Sequence, residues 1–187
     1  MSAAILSDFR VLVAPGLHGS GPVHWQSRWQ RLYPAFERVE QDDWAQPHLP
    51  TWSARLDQVR ARDERPVLIV AHSFGALTAA HSVARDPRNV AGVLLVAPAD
   101  PDKFGVAGLL PRQALSCPSI MIASSNDPWM TLAHAALWAR RWDSEFIDVG
   151  QAGHINADSG LGDWVFGRRQ LQKLAELAHN EQLCNVF

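Results

Sequence analysis

Ser73 carries a chemical role in its surroundings. It stands in Ala71-His72-Ser73-Phe74-Gly75, after the apolar run Val67–Ala71 and before the alanine-rich stretch Phe74–Arg85. Small-x-Ser-x-Gly between a strand and a helix is a nucleophile elbow. Small flanking residues let the chain turn sharply, the turn lifts the hydroxyl above the sheet, and the helix N-terminus behind it favours negative charge. Ala71 replaces the usual first glycine and still fits sterically. A serine that merely caps a helix is the competing reading. The strand–elbow–helix context favours a nucleophile.

A serine hydroxyl is a weak nucleophile and needs a base to take its proton. Imidazole titrates near neutral pH and can accept and return that proton. His154 lies in Gly150-Gln151-Ala152-Gly153-His154-Ile155-Asn156, a glycine-flanked loop after the last apolar run. The other seven histidines lack this placement. A carboxylate must then orient the imidazole. Asp127 follows the strand Ser119–Ala123 in Ser124-Ser125-Asn126-Asp127-Pro128, where it also reads as a helix N-cap with proline at N1. Asp100 and Asp102, after the preceding strand, are the rival acids. The order Ser73, Asp127, His154 matches the Ser…Asp…His order of α/β-hydrolases.

The first strand ends in Pro15-Gly16-Leu17-His18-Gly19-Ser20-Gly21. Glycines here let backbone N–H groups face an anion. The Lys-Ser/Thr of a phosphate-binding loop and the glycine spacing of a dinucleotide site are both missing. An oxyanion hole fits better, with the N–H groups of Leu17 and Phe74 as donors. His18 either lines this loop or makes a structural hydrogen bond. Such chemistry requires no cofactor and no metal.

These residues need a frame. Val11–Ala14, Phe36–Glu40, Val67–Ala71, Val90–Ala97, Ser119–Ala123 and Phe146–Val149 read as strands. Val23–Tyr33, Thr51–Arg62, Phe74–Arg85, Pro128–Trp142 and a segment within Leu161–His179 read as helices. Strands apolar on both faces, alternating with helices, imply an α/β fold: a six-stranded parallel sheet with helices on both faces. The irregular segment Asp100–Arg112 is either a flap over the site or a connection. Nothing divides residues 1–187, so a single domain is expected.

Composition narrows the classes. Of 187 residues, 47% are hydrophobic and 19% charged, which suits a globular core. A net charge of −2 without a basic patch argues against nucleic acid. The pairs Arg140-Arg141 and Arg168-Arg169 read as solvated helix faces. Two cysteines, Cys117 and Cys184, make no disulfide framework. No apolar run approaches a membrane span, and Met1–Arg10 is not a signal peptide, so no membrane association and a cytoplasmic location are expected. Most of the eight tryptophans read as core, with Trp44 and Trp164 set apart.

The sequence resembles the small serine-hydrolase family of retinoblastoma-binding protein nine and its bacterial relatives. The resemblance covers nearly the whole chain. It rests on Pro15 to Ser20 with His24-Trp25-Gln26, on Gln41-Asp42-Asp43-Trp44 with Pro47 and Trp52, and on the elbow. It continues through Asn126-Asp127-Pro128, Gly153-His154-Ile155-Asn156 and Gly160 to Trp164. It implies a minimal α/β-hydrolase without a large lid domain, with Ser73, Asp127 and His154 as its triad. It also implies hydrolysis of small-acyl esters, or amides, and a pocket walled by Trp44 and Trp164. Val165 departs from the family pattern, which has proline there. Two other readings compete: a non-catalytic binding protein on the same fold, and acyl transfer to a non-water acceptor. Dehalogenation is disfavoured, because it needs aspartate where Ser73 stands.

Overall fold

The computed structural model describes residues 6–184. The chain alternates strands and helices: β1 (Arg10–Ala14), α1 (Trp25–Leu32), β2 (Phe36–Arg38), α2 (Leu49–Arg60), β3 (Val67–His72), α3 (Phe74–Arg85), β4 (Val90–Val96), β5 (Ser119–Ala123), α4 (Leu132–Trp142), β6 (Glu145–Asp148) and α5 (Val165–Cys184). Short 3₁₀ turns occupy Ala107–Leu109 and Ala157–Ser159. The strands form one parallel sheet in the order β2-β1-β3-β4-β5-β6. The six expected strands and their parallel pairing are therefore present.

Period-two alternation along each strand feeds two cores. Leu12, Val67, Ile69, Ala71, Leu95 and Met121 pack with Trp52, Leu56, Leu77 and Trp138, which belong to α2, α3 and α4. Val11, Leu68, Val70, Leu94 and Ile120 pack with Trp25, Trp29, Leu171 and Leu174, which belong to α1 and α5. Trp25 and Trp29 are fully buried. Such rings are worth about 3–5 kcal/mol against alanine.

The chain runs from β1 to β2 on one side and from β3 onward on the other, so the sheet reverses its order at β1 and β3. Ligands of open parallel sheets bind beyond the strand ends at such a point. Gly75 is required there, since a Cβ would collide with the Ala14 and Pro15 carbonyls. Bare backbone brings α3 against the end of β1.

Helix α4 starts at Leu132, later than the sequence suggests. Thr131 caps it, accepting the His134 N–H. The Asp127 carboxylate instead accepts the Trp129 N–H at 2.9 Å and closes a local turn. The expected N-cap role of Asp127, with Pro128 opening the helix, is not what the structure has. Among the described residues, no helix is long and apolar enough to cross a membrane.

Candidate active site

Three strand ends and one loop converge above the sheet. Ser73 has φ 55° and ψ −122°, a strained conformation for a residue with a side chain. Its N–H donates to the Val96 carbonyl at 3.0 Å, which fixes the turn. Its Oγ lies 2.9 Å from His154 Nε2. His154 Nδ1 lies 2.8 and 3.0 Å from the Asp127 carboxylate oxygens. A carboxylate only accepts, so Nδ1 carries the proton and Nε2 presents its lone pair to the serine hydroxyl. The Asp127 side chain is 3% exposed and that of His154 10%. Asp100 and Asp102, the rival acids, face another imidazole, each 3.4 Å from a ring nitrogen of His134.

The loop carrying His154 is held from several directions. Asn126 Oδ1 accepts the Gly153 N–H at 2.7 Å, and Ser124 Oγ accepts that of Ala152 at 2.9 Å. Trp25 Nε1 donates to the Ile155 carbonyl at 2.8 Å. His72 Nε2 donates to the His154 carbonyl at 2.9 Å. None of these supports is evident from the sequence. His72 alternates onto the α1 face of β3, and Ser124 and Asn126 merely look like loop residues.

The glycine-rich loop closes over the elbow. A Cβ at Gly16 would stand 2.7 Å from Ser73 Cβ, so only glycine permits this approach. Gln26 pins the loop, accepting from Ser20 Oγ at 2.5 Å and donating to the Val70 carbonyl at 3.1 Å. Neither the Leu17 nor the Phe74 N–H meets a protein acceptor among the described residues. Both are therefore free to receive a developing negative charge. His18, at φ 63°, is exposed on the cavity wall.

A cavity of about 320 Å³ opens beside Ser73. Leu17, Ala99, Phe104 and Trp129 give it apolar walls, and His24, His72 and Asn156 also border it. Phe104 packs its ring 5.1 Å from that of Phe74, so the Asp100–Arg112 segment supplies one fixed wall. The two tryptophans expected to wall the pocket are elsewhere. Trp44 lies under the loop, with its ring against Gly19 and its carbonyl accepting the His18 N–H. Trp164 is 6% exposed, stacked with Trp29 and tilted against Trp25 over the bare backbone of Gly167, whose Cβ would strike the indole. A wide apolar ring gains more from that slot than from the cavity rim. Val165 is simply the first residue of α5 and exposed, a position where proline also fits.

Burial pushes the His24 imidazolium down to about 3, helped by nearby Arg38 and His154. Burial, with His24 and His154 alongside, holds His72 well below 6.5. Both rings are neutral in the native protein. Below pH 6.5 the unfolded chain binds protons that the native state refuses, so stability falls as pH falls. For His24 that window runs from 6.5 to about 3. The slope reaches about 1.4 kcal/mol per pH unit for each ring. Melting temperature is expected to hold above about pH 7 and fall below it, less steeply in His24→Asn. Equal slopes in the two proteins would contradict this.

The sequence matches the family model described as serine hydrolase over residues 11–173. A structure from Pectobacterium atrosepticum, described as a YdeN-like hydrolase, is 40% identical. It covers 95% of this chain and 94% of its own, with a TM-score of 0.88. The ydeN gene product of Bacillus subtilis is 18% identical, covers 89% and 98%, and has a TM-score of 0.71. A structure described as a thermophilic esterase is 13% identical, covers 90% of each chain, and has a TM-score of 0.63. The more distant two show the shared fold alone. No curated protein matches the sequence.

Proposed function

The chain belongs to the serine hydrolase family, and from that premise we propose that it hydrolyses esters of small acyl groups through an acyl-Ser73 intermediate. The observation that carries this reading is the unbroken hydrogen-bond chain from the Ser73 hydroxyl through His154 to Asp127. Ser73 Oγ attacks the ester carbonyl carbon while His154 Nε2 takes the hydroxyl proton. Asp127 stabilises the imidazolium, and the Leu17 and Phe74 N–H groups stabilise the oxyanion. His154 returns the proton to the leaving alkoxy oxygen, the C–O bond breaks, and the acyl group stays on Ser73. Water, deprotonated by His154, then attacks the acyl-serine. Collapse releases the acid and restores the serine hydroxyl.

The cavity volume supports a small substrate. Ligand pockets span roughly 300–1,000 Å³, and this one is near the lower bound with mainly apolar walls. Family membership also suits a small-molecule substrate. p-Nitrophenyl acetate and butyrate are expected to give a burst of about one nitrophenolate per protein before steady turnover, with the acyl group found on Ser73 by mass spectrometry. Decanoate is expected to be at least about tenfold poorer in kcat/KM. No turnover of any ester, together with a protein partner bound equally well by Ser73→Ala, would replace this reading with a binding function.

A further inference from the structure

In the proposed reaction the leaving oxygen must reach His154 Nε2 to collect its proton, so the alcohol portion of an ester departs past the imidazole. A second depression lies there. The cavity beside Ser73 and an open groove of about 450 Å³ share Trp129, His154 and Asn156 as lining residues, so the two meet at the general base. Pro128 and Trp129 line the groove together with residues of the His154 loop as far as Ser159. The Trp129 side chain is large and apolar, yet the residue is 51% exposed, with its ring centroid 6.2 Å from that of His154. Apart from His154, Asp158 carries the only ionisable side chain lining the groove. It is exposed, and its carboxylate meets no cationic side chain among the described residues. Neighbouring polar atoms are already engaged. Asn156 Oδ1 accepts the Asp158 N–H at 3.1 Å, and Ser159 Oγ donates to the Ala152 carbonyl at 2.6 Å. The Lys103 ammonium is tied to the Trp129 carbonyl at 2.6 Å.

An exposed indole by itself would receive any apolar or flat group. The carboxylate in the same groove selects among them. An indole face attracts a cation through its quadrupole, and an unpaired carboxylate attracts the same charge. Building on the ester-hydrolase reading, we infer that this groove is the leaving-group subsite and that it takes an alcohol bearing an ammonium group, with Trp129 and Asp158 as its specificity-determining residues. The acyl portion then occupies the mainly apolar cavity beside Ser73, and the cationic end of the alcohol lies on the far side of the imidazole. A neutral alcohol of the same shape keeps only its contact with the indole. An anionic one is repelled by Asp158. The groove is open to solvent, so each contact is modest, about threefold in rate, and the two together about tenfold.

The test uses pairs of esters that differ only in charge. Choline butyrate is paired with 3,3-dimethylbutyl butyrate, in which carbon replaces the quaternary nitrogen. A second pair, 3-(trimethylammonio)propyl butyrate and 4,4-dimethylpentyl butyrate, lengthens the spacer by one carbon. Acid release is followed for the wild type, Asp158→Asn, Trp129→Leu and the double variant. Both single substitutions spare the local fold: Asp158 meets Asn156 through its backbone N–H, and Trp129 meets Asp127 through its own. The readout is the cation-to-neutral ratio of kcat/KM within a pair, compared between proteins so that intrinsic ester reactivity cancels. In at least one pair this ratio is expected to fall about threefold or more in each single variant and about tenfold in the double variant. Ratios unchanged in both pairs, in Asp158→Asn or in Trp129→Leu, overturn the inference and leave the hydrolase reading standing. So does a wild type that turns over p-nitrophenyl acetate and none of the four alkyl esters. Failure of the wild type on every ester, with no acyl-Ser73 formed, refutes the hydrolase reading itself.

Discussion

His154→Ala is expected to lower kcat on p-nitrophenyl acetate by about 10⁶-fold with little change in KM, the scale seen when the base is removed from serine proteases. The imidazole is the only group within hydrogen-bond reach of Ser73 Oγ among the described residues. The two histidines behind it cannot substitute. His72 has its Nε2–H committed to the His154 carbonyl, and His24 holds its Nδ1 lone pair on the Gln26 N–H. The fold should survive, because the loop is held by backbone groups of Ala152, Gly153, His154 and Ile155 that alanine retains. Unfolding by heat within a few degrees of wild type would show that the loss is chemical. Residual activity above about one part in a thousand would point to another base.

Asp127→Asn is expected to cost about 10⁴-fold in kcat. The amide is nearly isosteric and can still accept the Trp129 N–H, so the turn at Pro128 should persist. An amide N–H facing Nδ1 would favour the wrong tautomer, with the proton on Nε2, where it can no longer accept the Ser73 proton. The imidazolium would also lose its compensating charge. Asp100→Asn is the control. Its carboxylate faces His134 rather than His154, so kcat should change less than about threefold. The reverse pattern, with activity kept in Asp127→Asn and lost in Asp100→Asn, would transfer the orienting role to Asp100.

What could be read in the sequence depended on where each residue stands in its element. Ser73, Asp127 and His154 all follow apolar runs, and a parallel sheet delivers the ends of its strands to one side. Their convergence therefore needed only the alternation of strands and helices. The direction of a side chain on a loop has no such signature. Trp44 and Trp164 were expected at the pocket, and they lie instead against Gly19 and Gly167. Each indole uses space left by a missing Cβ, a fit that emerges only when distant segments are placed together. Asp127-Pro128 imitates a helix opening, so the sequence suggests an earlier start for α4 than the one that Thr131 caps.

His24 and His72 were hidden for a related reason. His72 belongs to the α1 face of β3, and His24 sits at the start of α1. Their contact is a product of strand alternation meeting a helix end, with 47 intervening residues between them. Gly16 is legible as a flexible residue of the glycine-rich loop after β1. Its contact with Ser73 Cβ, which makes glycine obligatory there, is not. The resemblance rests in part on His24-Trp25-Gln26 and says nothing of what each does. The structure gives Trp25 to the His154 loop and Gln26 to the glycine-rich loop after β1.

The most direct test of the central claim is intact-protein and peptide mass spectrometry after exposure to a fluorophosphonate, on the wild type and His154→Ala. An activated serine is expected to give one phosphonyl adduct per chain, on Ser73, within minutes in the wild type and none in the variant over the same time. A folded wild-type protein that stays unlabelled, or labelling of Ser73 that proceeds equally fast without His154, would contradict an assembled Ser73–His154–Asp127 relay.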